Sequence, residues 1–401
     1  MAHPCCRRTG SAFRRIALLA TIGVASLLLV TPALAGSARA TPPPVRASAA
    51  LVANASTGEI MWSRTPNKVV PIASITKIMT ALITLNRTKL GDVVTVTPRA
   101  AAVGGATVNL QPGEKISVRD LLKATLIESA NDAANALADH VGGRGGVKRF
   151  VRLMNRKAKR MGLEGTSFAR PDGLDVQGHD STARDVLRLA EEAMESRTFR
   201  EMVRMKTATI KGGRKLENTN GLLSTYSGLY GVKTGYTDDA GWSEVAFARR
   251  DGVSLYAVVL GGPSEFRRDT DLKRLLNWGF RQFGRITVIN ERRTYARASI
   301  PFEPTQKLDL IADRSVHRVV QFGVPLVERV IAPSSVRLPV IAGEARGTIQ
   351  IIAGDKVIAR RPLIAAESIQ EPDIRSRIGW YTQRTMTHAG NLFNFVLGVI
   401  W

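Results

Sequence analysis

Three short strings, Ser74-Ile-Thr-Lys77, Ser129-Ala-Asn131 and Lys233-Thr-Gly235, constrain this chain more than any other feature. Together they supply a hydroxyl, a lysine one helical turn away, a second serine with an amide partner, and a cationic strand suited to a carboxylate. Residues so far apart act on one substrate only if the fold gathers them. A Ser-x-x-Lys string alone arises by chance about once or twice in a chain of this length and ordinary composition. Three such strings in fitting local contexts are not chance.

Those contexts are legible. Ala50 to Asn54 and Ile60 to Arg64 read as short strands joined through Ser56-Thr-Gly58, a hairpin. From Ser74, the residues Ile78, Leu82 and Leu85 recur at helical spacing beside Met79, so one face of a helix packs into a core. Lys77 lies above Ser74 on the same face. Ser117-Val-Arg-Asp120 has the form of a capping box and opens a helix through Leu121, Leu122 and Ile127. That helix breaks at Glu128-Ser129. Asn131 or Asp132 is expected to cap the next, Ala133 to Val141, which stops at Gly142-Gly143. Ser129 thus falls in a joint, where a side chain can be aimed into a cleft. Thr182 with Asp185 begins a further helix. Val232 to Gly235 reads as a strand, followed by Val245 to Arg250 and Val253 to Leu260 around the turn Asp251-Gly252. A helix through Leu272, Leu275, Leu276 and Trp278 closes the region near Phe283. The sheet is therefore expected to be largely antiparallel, with helices around it.

The start of the chain has Arg7-Arg8 and Arg14-Arg15, an apolar run from Ile16 to Val30, and the cleavage pattern Pro32-Ala-Leu-Ala35. This is a secretory signal peptide over 1–35. An uncleaved anchor is the other reading, although the run is shorter than the roughly 20 residues of a membrane span. The paired arginines raise twin-arginine export beside general secretion. Cys5 and Cys6, the two cysteines, lie in the removed segment, so the mature chain has no disulfide, thiol nucleophile or thiolate metal site. His140, His179, His317 and His388 lack ligand spacing, and neither a metal nor another cofactor is expected. The formal net charge of +23 favours, for an exported protein, an anionic surface of lipid head groups or wall polymers. Nucleic acid is not an expected partner, because export removes the opportunity and no basic helix or stacking motif is present.

Thr41-Pro-Pro-Pro44 marks a stiff linker over 36–46, before a first domain over 47–284. Beyond it, short β-rich runs (Val319 to Phe322, Leu326 to Ile331, Thr348 to Ile352, Lys356 to Leu363) alternate with Pro and Gly turns. They read as a small β-sandwich over 285–368. In the tail, 369–401, Ile374, Ile378 and Tyr381 with Arg375, Arg377 and Arg384 form a basic amphipathic stretch. It is too short and polar to cross a bilayer but suits an interfacial helix. Packing against the β domain is the other reading.

The three strings are joined by Ala73-Ser-Ile-Thr-Lys-Ile-Met-Thr-Ala-Leu82, Glu128-Ser-Ala-Asn-Asp-Ala-Ala-Asn-Ala-Leu137, His179-Asp-Ser-Thr-Ala183, Asn218-Thr-Asn-Gly-Leu-Leu223, and Gly231-Val-Lys-Thr-Gly-Tyr-Thr237 with Ala240-Gly241. On these segments, Ala50 to Phe283 resembles the serine-type D-alanyl-D-alanine carboxypeptidases, the low-molecular-mass penicillin-binding proteins. The β domain and tail match that group's layout more weakly. The resemblance implies an α/β (α+β) fold of the β-lactamase and penicillin-binding-protein kind: an antiparallel sheet flanked by helices, then a small all-β domain and a C-terminal amphipathic helix. It implies removal of the terminal D-Ala from peptidoglycan stem pentapeptides through a serine acyl-enzyme, with β-lactam antibiotics as covalent inhibitors. The expected place is periplasmic or extracytoplasmic, peripheral on the outer face of the cytoplasmic membrane.

A serine hydroxyl is a poor nucleophile until a base takes its proton, and no histidine stands where a triad base would. With Ser74 as nucleophile, Lys77 is the candidate base; burial and the like charge of Lys233 are expected to lower its pKa. Ser129 relays a proton to the leaving amine, and Asn131 orients the substrate amide. Lys233 and Thr234 offer a charge and a hydroxyl to the terminal carboxylate, while Gly235 lets a peptide approach the strand without a Cβ clash. The resemblance adds an oxyanion hole from the backbone N–H groups of Ser74 and Tyr236. It also adds Arg268 as a carboxylate contact, with Arg267 beside it as a rival. His179 and Asp180 read as structural. A D,D-endopeptidase uses the same machinery. A β-lactamase needs a deacylating glutamate, and Glu164, Glu191 and Glu192 lack the usual surroundings. A non-catalytic wall-binding scaffold requires a broken site.

Overall fold

The structure, a computed structural model, describes residues 24–30, 41–375 and 377–382. The expected cleavage site, both cysteines and the apolar end of the tail lie outside the described residues. The chain divides into two compact units, Ser37–Gly284 and one that starts at Arg285 and also takes in the strand Val24–Val30.

The first unit is built on five antiparallel strands: β1 (Ala49–Asn54), β2 (Ile60–Arg64), β3 (Leu229–Gly235), β4 (Trp242–Arg250) and β5 (Val253–Gly262). Their spatial order is β3-β4-β5-β1-β2. Asp251 and Gly252 take the positive φ angles, 48° and 82°, of the tight turn that joins β4 to β5. The centre of the sheet is buried on both sides. Ala49, Leu51 and Ala53 of β1 enter one core while Ala50 and Val52 enter another, and β5 divides in the same way. Strict alternation along each strand thus serves two apolar layers.

One layer holds α1 (Lys77–Leu85), α2 (Val118–Leu126), α3 (Asn131–Gly142), α4 (Gly146–Arg160), α5 (Ala183–Glu195) and α6 (Arg197–Val203); the other is covered by α7 (Glu265–Phe280). Three departures from the sequence reading bear on the site. Helix α1 was expected to bury one face, yet every residue from Lys77 to Thr84 is buried. Its polar members are satisfied: Thr80 Oγ1 donates to Pro171 O at 2.6 Å and Thr84 Oγ1 to Thr80 O at 2.8 Å. Ser74 precedes α1 in a 3-10 turn, Ala73–Thr76. Finally, α3 begins at Asn131 behind an N-cap, Ala130, that makes no side-chain bond. Asp132 accepts instead from the N–H groups of Val108 and Leu110, at 3.2 and 3.0 Å, tying down the loop in front of the helix. The caps of α2 and α5 are as read: Ser117 Oγ accepts from Asp120 N–H and Thr182 Oγ1 from Asp185 N–H, both at 3.1 Å.

The second unit contains β6 (Thr294–Ile300), β7 (Glu303–Ala312), β8 (Leu326–Pro333), β9 (Ala345–Ala353) and β10 (Lys356–Ala365) around their own apolar core. With Val24–Val30 they form one six-stranded sheet, ordered Val24–Val30, β8, β9, β10, β7, β6. Phe283–Ile289 and Val316–Gln321 pair beside it. Strands β6 and β7 escaped the sequence reading; two register shifts interrupt the pairing of β6, and β7 opens on five exposed residues. In the helical residues 374–375 and 377–382, Ile374, Ile378 and Tyr381 are exposed, while Trp380 packs edge-on against Phe302. Among the described residues no helix is long and apolar enough to cross a membrane.

Candidate active site

Ala73, just before Ser74, adopts φ 46°, and Ser129 adopts φ 64°. Left-handed backbone at a non-glycine residue costs about 1–2 kcal/mol, so Ala73, the residue before Ser74, and Ser129 itself both hold local strain. The turn before α1 is what allows it. Gly173 (φ 87°) lies so close that a Cβ there would be 2.0 Å from Ala73 O. The 3-10 geometry then eclipses residues three apart, bringing Lys77 Nζ to 2.7 Å from Ser74 Oγ.

Lys77 is fully buried. Its amine also meets Asn131 Oδ1 at 2.7 Å and Asp172 O at 2.6 Å. The Asn131 amide is oriented by its Nδ2 group, which donates to Gly104 O at 2.9 Å. Burial brings the Lys77 pKa down to about 7, helped by the charge of Arg170 and opposed by Asp172 and Asp132. Lys233 was expected to be the like charge acting on Lys77. Arg170 is a further cation that acts so on Lys77, and the two buried lysines repel each other. Burial, Lys77 and Arg268 press Lys233 well below its ordinary value, against the pull of Glu244.

The loop bearing Asp172 was not singled out from the sequence. Its carboxylate is buried, accepts from Arg170 Nε and Asn135 Nδ2 at 2.6 Å, and receives Leu174 N–H at 3.1 Å. These bonds and the cations Arg170 and Lys77 outweigh burial and hold its pKa below the usual carboxylate range. The signal was present in Pro171-Asp-Gly173, a turn tripeptide, but nothing local says what the turn approaches. His179 braces the same loop. Its Nδ1 accepts from Ala169 N–H at 2.9 Å, so Nε2–H donates to Thr76 Oγ1 at 2.7 Å. Burial lowers its pKa to about 4 and keeps it neutral. It is structural, as read.

A cleft of about 540 Å³ opens above this cluster, lined by Ser74, Ser129, Asn131, Thr234, Gly235, Tyr236 and Arg268. Lys77 and Lys233 lie beneath that lining. Lys233, 2 % exposed, donates to Thr234 O at 2.9 Å instead of standing free in the cleft. Thr234 Oγ1 meets Thr219 Oγ1 at 2.7 Å. Tyr236 stacks on Trp242, ring centroids 4.3 Å apart, and donates its hydroxyl to Asp238 at 2.8 Å. Gly235 has a different reason from the one read in the sequence. A Cβ there would meet Ser74 N at 2.9 Å and Ile72 O at 3.1 Å, so glycine lets β3 press against the serine turn itself.

Arg268 lines the cleft but is nearly buried, and Asp269 (2.6 Å), Glu265 (3.2 Å) and Glu244 (3.3 Å) surround its guanidinium. Arg267 lies over the Phe266 ring and is not part of the lining. Glu244 also escaped the sequence reading. Fully buried and bonded by Asn220 Nδ2 at 2.7 Å, it is pushed up to about 7 by burial against the pull of Arg268 and Lys233. An acid flanked by Ser243 and Val245 inside an apolar strand was its only trace.

Residues 37–264 match the D-alanyl-D-alanine carboxypeptidase family. The D-alanyl-D-alanine carboxypeptidase DacC of Escherichia coli is 31 % identical over 372 residues, 89 % of this chain and 92 % of that protein. The corresponding DacF of Bacillus subtilis is 29 % identical over 342 residues, covering 81 % and 86 %. Among solved structures, penicillin binding protein 5 from Haemophilus influenzae aligns with TM-score 0.60 at 26 % identity, over 82 % of this chain and 99 % of the other. A Streptomyces DD-transpeptidase aligns with TM-score 0.57 at 35 % identity, over 60 % and 99 %. With a mixed fold of antiparallel sheet and helices matching those neighbours, and with the three strings gathered at one cleft, the chain belongs to the D-alanyl-D-alanine carboxypeptidase family.

Proposed function

We propose that this chain works through a serine acyl-enzyme, with Ser74 attacking the carbonyl of the penultimate D-Ala of a peptidoglycan stem peptide. The observation that carries the reading is the surroundings of Lys77 Nζ. Asn131 Oδ1 and Asp172 O can only accept hydrogen bonds. A neutral Lys77 therefore gives its two N–H groups to them and turns its lone pair toward Ser74 Oγ, 2.7 Å away. A pKa of about 7 keeps much of it in that form near neutrality.

The hydroxyl proton passes to Lys77 as the Ser74 Oγ–carbonyl bond forms. N–H groups of Ser74 and Tyr236 receive the developing oxyanion, each contributing roughly 3 kcal/mol to the transition state. The peptide bond breaks, and Ser129 relays the proton to the departing D-Ala amine. Water then cleaves the ester with Lys77 again as base, returning Ser74 and releasing the shortened stem. Asn131 contacts the substrate amide, and Thr234 on β3 and Arg268 on α7 meet its terminal carboxylate, with the charge of Lys233 beneath them. β-Lactams acylate the same oxygen.

Export through a signal peptide over 1–35, whose removal takes the strand Val24–Val30 away and leaves β8 at the edge of its sheet, action outside the cytoplasmic membrane, and peripheral attachment through the tail 369–401 belong to the same proposal. So do a linker over 36–46, a catalytic domain over 47–284 and a β domain over 285–368. Intact mass after benzylpenicillin treatment is expected to rise by one adduct, and a diacyl-Lys-D-Ala-D-Ala tripeptide to release D-Ala. Both signals vanish in Ser74→Ala; an equal adduct in that variant removes Ser74 from its role.

A further inference from the structure

A second concavity in the first unit, about 380 Å³ in volume, shares no residue with the catalytic cleft. It lies between α6 and the outer strands β3 and β4. Its floor is aromatic: Tyr230 and Phe247 meet edge-on with ring centroids 6.0 Å apart, and both are partly accessible. Four exposed arginines, Arg197, Arg200, Arg204 and Arg249, stand around that floor. One acid lines the site, Glu201, and it is paired with Arg197 at 2.7 Å. Arg200, Arg204 and Arg249 have no carboxylate partner among the described residues.

Two of these guanidiniums are already positioned. Arg200 donates through Nη1 to the carbonyl oxygens of Met194 and Glu195 at the end of α5, which leaves its other N–H groups for a ligand. Arg204 lies over the Tyr230 ring, 5.4 Å from its centroid. Several like charges around one small hollow repel each other, and a bound anion relieves that repulsion. Arginine, with its planar fork, pairs with phosphate or carboxylate in two-point fashion and lies flat on ring systems. An aromatic floor adds a preference for a ligand that carries a ring on its anion.

We propose that this hollow binds an anionic sugar unit, a pyranose bearing a phosphate or carboxylate, with the sugar against Phe247 and the anion between Arg200, Arg204 and Arg249. A flat anionic lipid surface reaches the arginines at the rim but not the rings beneath them, so the concavity favours the sugar. For a wall enzyme the unit would belong to an anionic polymer. The site would then hold the protein beside its substrate while leaving the catalytic cleft free.

Saturation-transfer NMR and calorimetric titration with glucose 6-phosphate, glucose and inorganic phosphate test the proposal in the purified protein. Glucose 6-phosphate is expected to saturate one site and to show transfer to its ring protons. Glucose and phosphate alone should bind at least tenfold more weakly. The doubly substituted Arg204→Gln, Arg249→Gln protein should lose tenfold or more in affinity while benzylpenicillin acylates it at the unchanged rate. Acylation is read separately, so loss of the sugar site and failure of the Ser74 mechanism are distinguishable. Absence of saturable binding, equal affinity for inorganic phosphate, or undiminished binding in the double variant overturns the proposal.

Discussion

A buried amine held by two carbonyl oxygens has little choice about where its lone pair points. At Lys77 that direction is Ser74, and the proton that blocks it leaves near pH 7. The second-order rate of acylation by benzylpenicillin is therefore expected to rise about tenfold per pH unit below 7 and to level off above it. Asp172 holds the Lys77 pKa up, so Asp172→Asn should move that limb to lower pH. A limb that stays in place takes Asp172 out of the account. Glu244 acts on the other lysine, raising the pKa of Lys233 against burial and its neighbouring cations. Glu244→Gln keeps an acceptor for Asn220 but removes the charge, leaving Lys233 less protonated. KM for a peptide with a free terminal carboxylate is expected to rise about tenfold, worth ~1.4 kcal/mol, with kcat little altered; an unchanged KM in steady-state assays counts against this link. Ser74, Lys77 and Ser129, proposed to act together, could be singled out because the strings that hold them are short and local. Asp172 and Glu244 were not, since a buried carboxylate is identified by what surrounds it and its surroundings come from distant segments.

The elements that carry these residues differ in how far local pattern specifies them. Caps at Ser117 and Thr182 and the Asp251-Gly252 turn involve neighbours in sequence, and each has the form expected. The joint at Ser129 was likewise visible, but its φ of 64° was not, because the strain is imposed by the helices on either side. Gly235 marks where two elements meet. Gly235→Ala should push β3 off the serine turn, since the added methyl falls 2.9 Å from Ser74 N. Displacements of around 1 Å at a reacting centre cost on the order of 10²-fold in rate. Acylation by benzylpenicillin should fall by about that factor while circular dichroism stays that of the parent; an unaltered rate means the strand has room to spare. In the second unit, β7 was hidden because it opens on five exposed residues with no apolar alternation to read.

Across the whole chain, each unit has its own apolar core. A chain ending at Gly284 is accordingly expected to keep its benzylpenicillin adduct. If the exposed stripe of Ile374, Ile378 and Tyr381 attaches the protein to membranes, the same truncation should abolish sedimentation with anionic vesicles; equal sedimentation of both forms rejects the tail as the anchor. The basic charge that suggested an anionic surroundings from composition has, at the Arg200, Arg204 and Arg249 hollow, a specific location that composition could not supply. Periodicity, caps and turn residues act over a few residues, so many of the elements of the first unit, and the candidate groups on them, could be read along the chain, although α4, α6, β6 and β7 were not. The close approach of Gly173 and Gly235 to the serine turn, the three-way grip on Lys77, and the acids around Arg268 arise from packing between segments remote in sequence. Their distances and shifted pKa values depend on burial that exists only once those segments have folded together.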